Sequence, residues 1–274
     1  MNTMKIKLST LSLIIAVAVS TDAAIVKTLK IPSRKMSKEI PATLILPDAY
    51  SENDSQRFPV LYLLHGAGDD CTIWNIKTDV AELADKYGVI MLCPDAGRTS
   101  WYFDSPIDTN YQYETFVAEE CVEYLDKNYR TKADRQHRAL CGNSMGGHGA
   151  MFLAIRHRDA FSISVPLSGG VDLRPFPNKW KIKQRIGAIK NHRENWEKNS
   201  VINLAKTLKD GDLAISIDCG DHDFFLKVNR ALHKQLQNDG IKHRYIEKPG
   251  IHNWIYWKEA IKRQMPFITE QFNR

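Results

Sequence analysis

The chain has 274 residues, 43% of them hydrophobic and 26% charged, with a formal net charge of +6. That length supports one large core without a metal or disulfide staple. The modest positive balance comes without a DNA- or RNA-binding motif, so no nucleic-acid partner is expected, and it reads as solubility or attraction to anionic glycans or membranes.

The segment Met1 to Lys7 carries Lys5 and Lys7 and no acid. Leu8 to Val19 is then an apolar run of about a dozen residues, the length of a signal-peptide core and too short to span a bilayer. Ala18-Val19-Ser20 offers small residues for cleavage after position 20, and Thr21-Asp22-Ala23 offers a second site after position 23. The expectation is a signal peptide at 1–20 and a single domain over 21–274, exported to the periplasm or the cell exterior. No Cys stands directly after the apolar run, so no lipoprotein anchor, and no stable membrane anchor after cleavage, is expected.

Along the remaining chain, short apolar runs alternate with longer helical patterns. Ala42 to Leu46 reads as a strand stopped by Pro47, and Phe58 to Leu64 as a strand buried on both faces. Helical spacing follows over Asp79 to Tyr87, then a buried strand over Val89 to Cys93 and an amphipathic helix over Tyr113 to Lys127. His137 to Cys141 is a strand, followed by Gly142-Asn-Ser-Met-Gly-Gly147 and a helix to about His157. Further strands are expected at Ser162–Leu167, Leu213–Ile217 and Lys242–Glu247, with helices at about 226–239 and 254–272. This alternation predicts an α/β protein with a mostly parallel central sheet flanked by helices. One stretch, 174–203, breaks the rhythm, and reads either as a cap-like insertion over the site or as a solvated helical excursion.

Five cysteines follow the apolar leader, at 71, 93, 121, 141 and 219. Cys93, Cys141 and Cys219 lie in or at the end of apolar runs and read as small buried hydrophobes. A Cys71–Cys121 bridge is open in an oxidising compartment. No CxxC or HxxxH spacing suggests zinc, and no cofactor is expected.

Gly142-Asn143-Ser144-Met145-Gly146 matches G-x-S-x-G between a strand and a helix. A serine on so tight a turn needs small neighbours, and the helix behind it places partial positive charge where an oxyanion would form. A hydroxyl also needs a base. His148 and His157 lie in the helix after the serine and cannot fold back onto its start. His252 sits in a loop after a strand and before the last helix, where this strand–turn–helix chemistry presents its histidine. The acid belongs in the loop after the preceding strand, where Asp218, Asp221 and Asp223 compete; position favours Asp221 or Asp223. A second oxyanion donor is expected after an early strand, at His65-Gly66-Ala67-Gly68, so the amides of Ala67 and Met145 are the two candidates. His65 itself reads as a residue shaping that loop. Trp101 and Tyr102 follow a strand end on the catalytic side and could form an aromatic platform or belong to the core.

Together these segments resemble the esterase D-like branch of the α/β hydrolases. That branch includes S-formylglutathione hydrolases, the feruloyl and acetylxylan esterases of carbohydrate esterase family one, and mycolyltransferases. The resemblance rests on Leu63-Leu-His-Gly-Ala-Gly68, Ser100-Trp-Tyr-Phe-Asp-Ser105, Tyr113-Glu-Thr-Phe116, Gly142-Asn-Ser-Met-Gly-Gly147, Cys219-Gly-Asp-His-Asp223 and Gly250-Ile-His-Asn-Trp254 with Trp257. It implies the α/β-hydrolase fold and a triad of Ser144, Asp223 and His252, with Asp223 chosen because it lies three residues after the glycine. It also implies Ala67 as an oxyanion donor. Asn143 and Ile251 depart from the pattern, where an apolar residue and a glycine are common. Trp254 joins Trp101 and Tyr102 as a candidate substrate contact. The expected activity is hydrolysis of carboxylic esters through an acyl-enzyme, with acetyl or feruloyl groups on polysaccharides, or small esters, as partners. Alternatives are an acyltransferase with the same triad, an S-formylglutathione hydrolase-like thioesterase, and a non-catalytic carbohydrate-binding relative.

Overall fold

The computed structural model describes residues 24–274. The expected signal peptide lies outside the described residues.

Eight strands form one sheet in the order β1-β2-β4-β3-β5-β6-β7-β8. They are β1 (Ile25–Ser33), β2 (Lys38–Leu46), β3 (Val60–Leu64), β4 (Ile90–Pro94), β5 (Arg138–Asn143), β6 (Ile163–Leu167), β7 (Ala214–Gly220) and β8 (Arg244–Lys248). β1 and β2 form an antiparallel hairpin, β2 pairs antiparallel with β4, and every later pairing is parallel. β3, β4, β5 and β6 are buried along their whole length, because helices cover both faces of the sheet. One face packs on Phe116, Val117 and Leu125 of the Tyr113–Asn128 region, and on the helices Met145–Arg156 and Leu226–Asn238. The other packs on Trp74, Val80 and Leu83 and on the long helix Trp254–Phe272.

The strand order decides where a site can form. β3 lies between β4 and β5, so the chain leaves β3 toward one edge of the sheet and later returns to build toward the other. The loops leaving the carboxyl ends of β3 and β5 therefore part from each other and open a crevice, the usual ligand position in an open α/β sheet. Leu64 pairs with Gly142 at that point, which sets His65 and Asn143 side by side.

Several elements differ from the sequence reading. β1 was not expected; only its Ile31 and Ser33 are buried, and its first half is mostly exposed, so it carries little apolar signal. β3 starts at Val60, because Pro59 has no N–H to give the ladder and Phe58 makes only a bridge to Thr131. The Tyr113–Asn128 helix contains a π turn at Phe116–Glu120. β7 runs on to Gly220, which draws Asp218 into the sheet.

Asp218 shows why that extension holds. Its buried carboxylate accepts hydrogen bonds from Tyr256 Oη (2.5 Å), Arg263 Nη2 (3.1 Å) and Gln264 Nε2 (3.0 Å), and so ties the last helix to the sheet. Removing one partner of a buried charged network costs about 3–5 kcal/mol, because the others are left unpaired. Asp218→Ala is expected to lose about 3 kcal/mol in denaturant unfolding, and a loss under about 1 kcal/mol would contradict this role.

The 174–203 stretch joins the main core. Ile182, Ile186, Trp196 and Val201 are buried in the same apolar cluster as the sheet. Arg185 pins the segment to the loop after β4: its guanidinium pairs with Asp108 (2.9 Å), donates to Thr99 O (3.3 Å) and lies over the Tyr111 ring. All five cysteines are buried free thiols.

Candidate active site

Ser144 is the single residue between β5 and the Met145–Arg156 helix. Its backbone has φ 58° and ψ −114°, a conformation that costs of order 1–3 kcal/mol for a residue with a side chain. Three hydrogen bonds hold it there. Ser144 N–H donates to Leu167 O (2.9 Å), and Ser144 O accepts from His148 N–H (3.0 Å) and Gly170 N–H (3.2 Å). The turn also depends on Gly146, where a Cβ would run into the Leu64 carbonyl. The result is a partly exposed serine between fully buried neighbours, Asn143 and Met145.

Two further loops deliver the other groups. His252 lies in the loop between β8 and the Trp254–Phe272 helix, and its Nε2 is 2.8 Å from Ser144 Oγ. Its Nδ1 is 2.7 Å from Asp223 Oδ2, whose side chain is wholly buried. Since the carboxylate accepts, Nδ1–H donates, which leaves Nε2 free to accept the Ser144 hydroxyl proton. Asp223 Oδ1 accepts from Phe225 N–H (2.7 Å), so both carboxylate oxygens are engaged. The imidazole is boxed by Phe224 (ring centroids 4.0 Å apart), Trp257 (4.8 Å) and Phe225 (5.4 Å).

The other candidate acids have separate duties. Asp218 anchors the last helix, as described. Asp221 Oδ1 faces His222 Nδ1 (2.6 Å) and accepts from Gly250 N–H (3.0 Å), which ties the two loops together without touching His252.

The loop after β3 is shaped by His65. His65 Nδ1–H donates to Gly66 O (2.9 Å), and Ala96 N–H donates to His65 Nε2 (3.0 Å). A trans peptide is planar with its C=O and N–H opposed, so holding Gly66 O on one side aims Ala67 N–H to the other. Ser144 Cβ is 3.6 Å from where a Gly66 Cβ would stand, so this loop lies beside the serine. Met145 begins the helix, and the first turn of a helix has no intrahelical acceptor for its amides. The geometry thus supplies a hydroxyl, a base aligned by a carboxylate, and two amide-bearing segments at one point.

Trp101 and Tyr102 need correction as substrate contacts. Trp101 is 1% exposed and Tyr102 fully buried, so neither offers a surface to a ligand. Instead they buttress the loops: Tyr102 Oη donates to His65 O (3.0 Å), and Trp101 N–H donates to Met145 Sδ (3.3 Å). Trp254 stays partly exposed, edge-on to Trp74 and Trp257. His148, in the helix behind Ser144, is buried among Trp101, Phe103 and Phe152, and burial pushes its pKa down to about 3, so it stays uncharged.

Two residues at the site were not foreseen, one beside His252 and one behind it. Phe224 is 52% exposed, and Trp180, from the 174–203 stretch, stacks on it (5.6 Å, 19°). Phe224 was legible as the neighbour of Asp223. Trp180 was not, because nothing local says that its segment folds back to the site. Elsewhere, a 720 Å³ cleft lined by Arg135, Asp212, Lys242 and Arg244 lies at the opposite, amino-terminal edge of β6–β8. Its Ser162 hydroxyl donates to Gln136 O, so it holds no nucleophile–base pair. Among the described residues, no group of three or more His, Cys, Asp or Glu could hold a metal ion.

A family model for esterases, described as "Putative esterase", matches residues 33–268. The chain belongs to this esterase family. The esterase is 27% identical over 229 residues to an acetyl esterase of Caldicellulosiruptor saccharolyticus, covering 79% of this chain and 85% of that one. It is 26% identical over 282 residues to a diacylglycerol acyltransferase/mycolyltransferase Ag85A of Mycobacterium leprae, covering 89% and 83%. Among solved structures, a ferulic acid esterase superposes with a TM-score of 0.79 at 30% identity, over 91% of this chain and 100% of that one. The esterase therefore has the α/β-hydrolase fold, lies in the esterase D-like, carbohydrate esterase family-one branch, and is an ester hydrolase.

Proposed function

We infer that this chain is an exported serine carboxylesterase that removes acyl groups, acetyl or feruloyl, from polysaccharides or small esters. The hydrogen-bonded series Ser144–His252–Asp223 carries the reading. Ser144 Oγ attacks the ester carbonyl carbon while its proton passes to His252 Nε2. Ala67 and Met145 amides hold the resulting oxyanion, and Asp223 stabilises the imidazolium. Collapse breaks the bond to the alcohol, which leaves with the proton from His252. Water, deprotonated by the same imidazole, then releases the acid and restores Ser144.

The charge-then-apolar-then-small order of residues 1–23 supports export, and an extracytoplasmic enzyme meets polymeric esters in preference to glutathione adducts. The exposed Phe224 face beside His252, backed by Trp180, supports an aromatic acyl group. Phe224→Ala is expected to lower kcat/KM on methyl ferulate about fivefold more than on p-nitrophenyl acetate, since an aromatic contact of this kind contributes roughly 1 kcal/mol. Equal losses on both esters would remove the ferulate preference.

The deciding experiment combines fluorophosphonate labelling, with the labelled residue mapped to Ser144, and a rate panel over p-nitrophenyl acetate and butyrate, methyl ferulate and acetylated xylan. An unlabelled Ser144 defeats the mechanism. Rates confined to short free esters defeat the polysaccharide assignment. The acyltransferase alternative predicts transfer to an added acceptor alcohol in place of hydrolysis.

A further inference from the structure

His65 grips the loop that carries Ala67 by the Gly66 carbonyl. Asn143 packs against the same glycine and has no part in the chemistry above. It is the last residue of β5 and fully buried, and neither its Oδ1 nor its Nδ2 has a hydrogen-bond partner among the described residues. Alternation along the strand puts it on the face of Ala139 and Cys141, in the cluster of Leu61, Leu63, Trp74 and Trp257. A carboxamide there, with its bonds unmade, destabilises the fold; an apolar side chain of similar shape would not.

Asp69 has the complementary need. It closes the turn through Asp69 N–H to Gly66 O (3.3 Å). Burial pushes its carboxyl pKa up and Asp70 adds to this, while His65, Lys77 and the nearby Trp254 indole oppose it. Asn143 Nδ2 and Asp69 Oδ2 lie 2.9 Å and 3.3 Å from the point where a Cβ on Gly66 would stand. One residue has spare donors and the other is a desolvated acceptor. Both face the one position that glycine leaves empty of a side chain.

We propose that Asn143 and Asp69 form a latch across Gly66 that fixes the oxyanion loop against the strand end bearing Ser144, a role that rests on the reading of Ser144 as nucleophile. The contact is open in this structure, where Asn143 Nδ2 has no partner, and the latch closes when Nδ2–H turns onto the Asp69 carboxylate across Gly66. Both are positioning residues: they act through the aim of Ala67 N–H and touch no substrate.

The test measures the rate of Ser144 labelling by a fluorophosphonate, with kcat and KM on p-nitrophenyl acetate, for wild type, Asn143→Ala, Asp69→Ala and the double variant. Each single variant is expected to slow labelling and kcat about tenfold with KM within about twofold, because a misplaced donor costs rate more than binding. The double variant is expected to be no slower than the worse single, since one contact is lost once. Asp69→Asn, which keeps an acceptor, should recover part of the rate. Asn143→Leu should slow labelling while raising Tm, which a purely structural asparagine would not do. Single effects that multiply in the double variant, or an Asn143→Leu enzyme that labels at the wild-type rate, would overturn the latch. A wild type that takes no label overturns the nucleophile reading, and the latch with it.

Discussion

Ser144→Ala is expected to lower kcat by about 10⁶-fold, the size of loss seen when a triad nucleophile is removed. The residue sits with its backbone in the left-handed half of conformational space, held by Leu167, His148 and Gly170. Alanine keeps the Cβ, so it neither relieves nor adds backbone strain, and stability should change by no more than about 0.5 kcal/mol. Activity and folding are thereby separated. The measurement is kcat on p-nitrophenyl acetate beside a thermal melt. Retention of more than about a hundredth of the wild-type rate would mean that another group attacks the ester.

Asp223→Asn is expected to cost about 10⁴-fold in kcat, as loss of the correct histidine tautomer does elsewhere. Here the reason is visible in the carboxylate's two contacts. Oδ1 accepts from Phe225 N–H and Oδ2 from His252 Nδ1–H. An asparagine has one oxygen for two donors. If that oxygen keeps Phe225, the amide NH₂ meets Nδ1 and drives the imidazole proton to Nε2, which then donates to Ser144 where it should accept. Asp221→Asn makes the control, because Asp221 bonds His222 and Gly250 and not His252. Its kcat should fall by less than about threefold. A reversed pattern, with Asp221→Asn the crippled variant, would move the acid to position 221.

What the sequence disclosed followed from how local each feature is. The turn around Ser144 was legible because strand, glycines and helix are contiguous. The acid was not settled by spacing, since Asp221 and Asp223 share a short loop, and only the partners of each carboxylate tell them apart. Trp101 and Tyr102 sit in a loop near a strand end, where an aromatic platform and core packing read alike. Their burial depends on Gly149, Gly170 and His65, which are far away in the chain. β1 escaped notice because its first half faces solvent, and its few inward residues give no apolar run. The 174–203 stretch read as a cap-like insertion or a solvated excursion because its four core residues, Ile182, Ile186, Trp196 and Val201, are scattered among charged and polar ones.

The position of Trp180 has a consequence for how such an enzyme can change. The attacking, accepting and orienting groups stand on loops rooted directly in β5, β7 and β8, where a shift would disturb the sheet. The aromatic wall beside the histidine is backed by Trp180, from a segment held by its own core residues and by Arg185 on the loop after β4. The triad and the aromatic wall are thus mounted on different supports. Exchanging the Trp180 side chain alone would reshape the wall beside Phe224 while Ser144, His252 and Asp223 kept their places.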